Sequence, residues 1–289
     1  MYDFHIHSSW SDGVLSEVEI LEKIKEKNIK YFSLTDHDNI EGSKRILGYK
    51  DFLNKYGIQF IIGVELTSNY KNRRTHLLAY GFDKDSEFMQ DLLEKLKEKS
   101  WEHTLYRMEY LKNNFDITLS ASSYEYMKGK AIIKKPIIAE CMKNEGLVAS
   151  KGEAIREYIN KVPEKDFSVT PKEIAESVHK AGGKVFLAHP FGEACDEIFE
   201  NDEFEKYIDG LIKEGIDGME CYYSAYNNTQ IDYLLSIAKE RSILISGGSD
   251  YHGTKYRIGE IGKITLEDYE VEKSDLTILN LFKNNKGLW

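Results

Sequence analysis

Three stretches near the start decide the fold: Tyr2-Asp3-Phe4-His5-Ile6-His7, Ser11-Asp12-Gly13, and Tyr31-Phe32-Ser33-Leu34-Thr35-Asp36-His37-Asp38. Residues 2–6 and 31–35 read as short strands. Between them, residues 16–28 read as a helix. Ser16 and Glu19 have capping-box spacing, and Val18, Leu21, Ile24 and Ile29 recur at helical intervals. The rhythm continues with a helix over 41–56 stopped by Gly57, a strand over 59–66 (QFIIGVEL) and another over 75–81 (THLLAYG). Strands alternating with helices predict an α/β fold with a largely parallel sheet, open or closed into a barrel.

The same rhythm returns late in the chain. Thr170-Pro171-Lys172-Glu173 combines an N-cap, a proline at the first helical position and a capping glutamate. That helix stops at Gly182-Gly183. Residues 184–188 (KVFLA), 218–223, 242–249 and 263–265 read as strands, with helices near 203–214 and 229–241. The middle differs: it is helical and rich in Lys and Glu to about residue 113, then irregular. Residues 86–168 are therefore expected to form a helical insertion, with 1–85 and 169–289 making one barrel-sized domain.

Composition narrows the function. With 289 residues, 41% of them hydrophobic, the chain can bury a large core. Its 39 Lys and Arg against 49 Asp and Glu give a net charge of −10. That excludes a general nucleic-acid coat and attraction to an anionic membrane, but leaves room for a locally cationic site. The amino terminus has neither a basic nor an apolar signal region, and no apolar run nears the ~20 residues that span a bilayer. A cytoplasmic protein is expected. Cys141, Cys195 and Cys221 are widely spaced and form neither a CxxC knuckle nor a disulfide framework, so reduced thiols are expected.

The eight histidines carry the chemistry. His5 and His7 are two apart on a strand and share a face. Asp12 sits in a tight turn just beyond. His37 ends the second strand, flanked by Asp36 and Asp38. Glu65 lies near the end of the third strand, and His76 on the fourth. His189, Glu220, Asp250 and His252 end later strands. Strand C-termini of a parallel α/β sheet converge on one face, where sites are built. Imidazole and carboxylate ligands gathered there suit divalent Mn, Fe or Zn. There is no GxSxG elbow and no glycine-rich phosphate loop, which excludes a serine hydrolase of that type and a P-loop NTPase.

The ordered set formed by HIH with SDG, TDHD, GVE, THLLAYG, LAHP and GSDYHG closely resembles the PHP (polymerase and histidinol phosphatase) family of metal-dependent phosphoesterases. The match covers nearly the whole chain outside the insertion. The resemblance implies a distorted (β/α)7 barrel holding two to three divalent ions. One ion is implied at His5, His7, Glu65 and Asp250. A second shares Glu65 and adds His76 and His189, and a third takes Asp12, His37 and His252. The implied chemistry is attack of a metal-bridging hydroxide on a phosphate ester, with Asp12, His37, Glu65, Asp250 and His252 at its centre.

The remaining residues have two readings each. Asp36 and Asp38 are either acceptors that orient a ligand imidazole or solvated loop carboxylates. Glu220 is either such an acceptor or a structural residue. His179 reads as a packed or surface helical histidine, and His103 as a structural or surface residue of the insertion. Where many members carry Gly-Arg-Pro-His in the insertion, this chain has Lys134-Lys135-Pro136-Ile137, which keeps a cation but loses the planar fork and the imidazole. Lys135, Arg107 and Arg257 are the candidate phosphate-holding cations, and Tyr222 and Tyr223 the candidate stacking partners for a base or ribose.

The expected function is hydrolysis of a small phosphorylated substrate of the nucleotide class. Candidates are a nucleoside 3′,5′-bisphosphate, AMP, a short 5′-phosphorylated oligonucleotide or a cyclic ribose phosphate. No stable nucleic-acid complex and no membrane contact are expected, and the sequence leaves the oligomeric state open. The alternatives are a histidinol-phosphate phosphatase and, in another class, a non-catalytic metal-binding scaffold. The full set of nine implied ligands argues against the scaffold.

Overall fold

A computed structural model describes residues 1–130, 133–192, 201–253 and 259–284. The chain forms two compact units, Met1–Leu92 with Thr170–Trp289, and Leu93–Val169. In chain order the elements begin with β1 (Tyr2–Asp3), α1 (Glu17–Glu26), β2 (Tyr31–Phe32), α2 (Glu41–Ile46), α3 (Lys50–Tyr56), β3 (Gln59–Phe60), β4 (Gly63–Tyr70) and β5 (Arg73–Tyr80). Then come α4 (Glu87–Phe115), α5 (Ala121–Lys128), α6 (Lys135–Asn144), α7 (Lys151–Glu153) and α8 (Pro171–Lys180). The rest are β6 (Lys184–Leu187), α9 (Asn201–Lys213), β7 (Gly218–Tyr223), α10 (Asn228–Glu240), β8 (Leu244–Gly248) and α11 (Asn280–Asn284).

The capping chemistry forms as its spacing predicts. Ser16 with Glu19 opens α1, Thr170 with Glu173 opens α8, and Asn227 with Gln230 opens α10, each as a complete capping box. The faces of these helices that carry Ile20, Leu21 and Ile24, Ile174 and Val178, and Leu234 and Leu235 are buried.

The first unit holds two sheets, β1-β2-β3 and β4-β5-β6-β7-β8. The first is parallel throughout. In the second, β5 runs antiparallel to β4 and β6, while β6, β7 and β8 are parallel. Two isolated parallel bridges join the two sheets, Ile6 beyond β1 with Tyr251 beyond β8, and His37 beyond β2 with Glu65 of β4. The ring thus closes through the segments that carry the chemistry. The class is α/β, as expected, with a mixed rather than largely parallel second sheet.

Four expectations are corrected in detail. The single strand over 59–66 is two: β3 and β4 belong to different sheets, with the chain passing between them at Ile61 and Ile62. Both isoleucines are buried, and an unbroken apolar run gives no sign of such a break. The strand over 75–81 lies antiparallel because β4 and β5 form a hairpin. Its turn residues, Lys71 and Asn72, have φ of 53° and 64°. A two-residue turn with both φ positive normally advertises itself as Asn-Gly, and Lys-Asn does not. Residues 263–265 form no strand: Lys263 makes one isolated bridge with Glu260, and residues 264–265 are irregular. The helix over 41–56 is likewise interrupted between α2 and α3.

The second unit has its own apolar core. Met108 and Leu111 of α4, Met127 of α5, Ile138 and Met142 of α6, and Ala154 and Ile159 are buried together. His103 stacks on Phe167 with ring centroids 5.0 Å apart. Among the described residues no helix is long and apolar enough to cross a membrane. Cys141 and Cys221 are buried free thiols, and Cys195 lies outside the described residues.

Candidate metal centre

Backbone hydrogen bonds of the closing segments fix where each side chain starts. The His7 amide donates to the Tyr251 carbonyl and the Val14 amide to that of His252, which seats the Ser11-Asp12-Gly13 turn against the end of β8. Asp36 tightens that turn: its carboxylate accepts from the Ser8 amide at 2.8 Å and from the Ser8 and Ser11 hydroxyls, both at 2.6 Å. On the other edge the Asp38 amide donates to the Glu65 carbonyl, and Asp38 Oδ1 accepts from the Thr67 amide at 2.7 Å. Asp36 and Asp38 thus act on the backbone that carries the ligands. His189 and Asp250 sit at φ of 24° and 51°, in the left-handed region. Each such non-glycine residue costs about 1–3 kcal/mol, a cost borne where the surroundings dictate the conformation.

The expected ligands converge. His5 Nε2 lies 3.4 Å from Glu65 Oε2 and 3.3 Å from Asp250 Oδ1. His7 Nε2 lies 3.2 Å and 3.1 Å from the same two oxygens, and the two imidazole nitrogens are 3.1 Å apart. The other Glu65 oxygen meets His76 Nδ1 at 2.9 Å and His189 Nε2 at 3.1 Å. His37 faces Glu65 Oε2 with Nδ1 at 3.0 Å and Asp12 Oδ1 with Nε2 at 3.6 Å, and His252 Nε2 lies 3.1 Å from that Asp12 oxygen. Three overlapping groups have donor atoms within 4.8 Å of one another: His5, His7, Glu65 and Asp250; His7, Asp12, His37 and His252; and His37, Glu65 and His76.

This spacing suits cations. Four donors at 2.0–2.1 Å around one ion lie about 3.3 Å apart, which is the separation found for His5, His7, Glu65 and Asp250. Glu65 Oε2, His7 Nδ1 and His252 Nε2 are buried and make no hydrogen bond. Such buried polar atoms are costly without a partner, and an ion would supply one. On these contacts we assign tautomers. His5 Nδ1 faces the Glu220 carboxylate at 3.1 Å and His252 Nδ1 the Asp250 carbonyl at 2.9 Å, so each leaves its Nε2 lone pair to the cluster.

Electrostatics agree. Burial pushes Glu65 upward, but His37, His76 and His5 hold it well below the usual carboxylate range, and His5 and His7 do the same for buried Asp250. Burial works against charge on His7, yet Asp250 and Glu65 raise it to about 9. The field in the cluster calls for positive charge. Asp12, at 27% exposure, is the most open of these carboxylates.

Several supporting residues were not singled out by sequence or were given less than they do. Asp3 is buried and accepts from the Ser249 amide and hydroxyl at 2.9 and 2.7 Å and from the Gly262 amide at 2.7 Å. Burial raises its carboxyl to about 6. It ties β1 to the end of β8, and its place two residues before His5, on the same strand face, was the available signal. Glu220 serves two of the implied ligands, His5 and His189, since it also accepts from the His189 amide at 2.9 Å. Gly248 is required sterically: a Cβ there would sit 2.1 Å from that of His5.

The expected substrate residues divide between the two units. The Tyr223 hydroxyl donates to Asp250 Oδ2 at 2.9 Å, so this residue braces one of the implied ligands. Tyr222 is fully buried, with its ring edge-on to Tyr269, and has no face to offer a base. Lys135 and Arg107 belong to the second unit, where Lys135 Nζ donates to Asn160 Oδ1 at 2.9 Å. Arg257 lies outside the described residues. His179, on α8, pairs with Asp217 at 2.6 Å and has no part in the cluster.

A closed α/β ring with buried imidazoles and carboxylates at its strand ends defines a metal-dependent hydrolase. The chain belongs to the PHP domain family, whose model matches residues 3–288. It is a metal-dependent phosphoesterase. The chain is 28% identical over 264 residues to a 5′-3′ exoribonuclease of Haemophilus influenzae, covering 87% of this chain and 89% of that protein. It is 21% identical over 255 residues to a 3′,5′-nucleoside bisphosphate phosphatase of Chromobacterium violaceum, covering 86% of each. A crystal structure from Bifidobacterium adolescentis shares the fold, with a TM-score of 0.72, 22% identity, and coverage of 99% of this chain and 97% of that one.

Proposed function

We propose that this phosphoesterase acts in the cytoplasm on small nucleotides, hydrolysing a phosphate ester of a nucleoside 3′,5′-bisphosphate or of a short 5′-phosphorylated oligoribonucleotide. We further propose that it uses two to three ions of Mn, Fe or Zn, held by His5, His7, Asp12, His37, Glu65, His76, His189, Asp250 and His252. The observation that carries this reading is Glu65, whose two oxygens face five imidazoles within 3.4 Å. A carboxylate so placed would be shared by more than one ion.

Ions held there supply Lewis acidity toward phosphoryl oxygens and lower the pKa of a bound water. The residues do the rest. Glu65 fixes the spacing of the groups around it. Glu220 and the Asp250 carbonyl hold His5 and His252 in one tautomer. Burial of most of the cluster limits competing water, while the more exposed Asp12 marks its open side. The nucleotide class is supported by the relatives that act on an RNA chain and on a bisphosphate.

A panel tests this: hydrolysis of AMP, a nucleoside 3′,5′-bisphosphate, a 5′-phosphorylated dinucleotide, a cyclic ribose phosphate and histidinol phosphate, read as phosphate release for the monoesters and as mononucleotide or ring-opened product for the diesters. The bisphosphate or the dinucleotide should be turned over with the highest kcat/KM. Preference for histidinol phosphate contradicts the nucleotide reading.

A further inference from the structure

The hairpin of β4 and β5 carries more than its two ligands. Side chains alternate along a strand, and directly paired residues of antiparallel strands share a face. Glu65, Thr67 and Asn69 of β4 therefore project on one side, and Thr67 and Asn69 pair with His76 and Arg74 of β5. His76 and Glu65 meet on that side at 2.9 Å, so Thr67, Asn69 and Arg74 stand on the ligand face too. Arg74 is one step beyond His76, roughly 7 Å along the strand. β5 pairs with β6 only from Leu77 to Tyr80, so Arg74 lies past the end of β6, on the side from which His189 continues.

The chemistry of this strip is that of an anion site. Arg74 is exposed and has no ion pair among the described residues. Its neighbour Arg73 instead faces the other way, with its guanidinium 5.4 Å from the ring centre of Tyr207. Thr67 Oγ1 is buried without a hydrogen-bond partner. An exposed guanidinium on the same strand face as His76 and Glu65 is placed to pair with an anion held beside them. Its planar fork matches phosphate.

We propose that Arg74 anchors a second phosphate of the substrate, one sugar away from the phosphoryl group being cleaved. Asn69 flanks that phosphate, and the Thr67 hydroxyl lies between it and the ligands. The assignment rests on the nucleotide reading above and sharpens it: the preferred substrate carries two phosphates.

The test compares wild type, Arg74→Ala and Arg74→Lys at equal metal content, on a nucleoside 3′,5′-bisphosphate and the matching monophosphate. For Arg74→Ala, kcat/KM on the bisphosphate should fall about 10- to 100-fold, mainly through KM, and at least about tenfold more than on the monophosphate. Arg74→Lys should recover part of the loss. Equal losses on both substrates, or none on either, overturn the assignment while leaving the nucleotide reading standing. A wild-type enzyme that hydrolyses neither nucleotide contradicts that reading, and the Arg74 assignment falls with it.

Discussion

Glu220 grips His5: its two carboxylate oxygens lie 3.1 and 3.3 Å from the imidazole Nδ1, which turns Nε2 toward His7 and the paired carboxylates. A partner of this kind fixes both the tautomer and the ring orientation of a ligand histidine. Its loss typically costs about 10- to 100-fold in metal affinity or activity. Glu220→Ala should therefore retain fewer ions after dialysis against a weak chelator and show a kcat lowered by a similar factor. Full metal content together with full turnover would remove Glu220 from the account.

Gly248 lets His5 approach the sheet. An added methyl would meet the His5 Cβ at 2.1 Å and its amide nitrogen at 2.6 Å, both rigid neighbours. Gly248→Ala should lower stability by about 1–3 kcal/mol and disturb the cluster at the same time. Thermal unfolding and metal content, measured together, check this. An unchanged Tm would mean that the strands part at little cost.

The second unit has a pH-dependent link of its own. Glu145 accepts from the Ser120 amide and from the Ser120 and Ser123 hydroxyls near the start of α5. Burial alone would raise its carboxyl, but these donors lower it below its ordinary range. A lowered native value means that the ionised form is favoured in the fold. Its stabilisation is complete above the ordinary glutamate range and fades as pH falls through the lowered value. Glu145→Gln should flatten that acid limb of stability against pH and cost about 1 kcal/mol near neutrality. Parallel acid limbs in the two proteins would contradict the link.

Much of the centre was legible because strand ends advertise their ligands. HIH places two imidazoles on one face, and the spacing of the remaining motifs matches strands that converge. All nine expected ligands lie in the first unit. Less legible were contacts set by closure of the ring. Nothing local to Glu220 announces His5, which is 215 residues away, and nothing local to Asp3 announces Ser249. The hairpin was hidden by a Lys-Asn turn, and with it the pairing that sets Thr67 and Asn69 opposite His76 and Arg74. Tyr222 and Tyr223 are adjacent in sequence yet point to opposite sides of β7, one into Tyr269 and Asp275, the other to Asp250.

The most direct test follows ion content and turnover in the same samples, with a nucleoside 3′,5′-bisphosphate as substrate, while the wild-type chain is stripped by chelator and reloaded. Two to three divalent ions per chain should accompany full activity, activity should disappear with them, and His37→Ala and Asp250→Ala should hold fewer ions and release no phosphate. Full turnover by a chain that holds less than one ion would contradict the account.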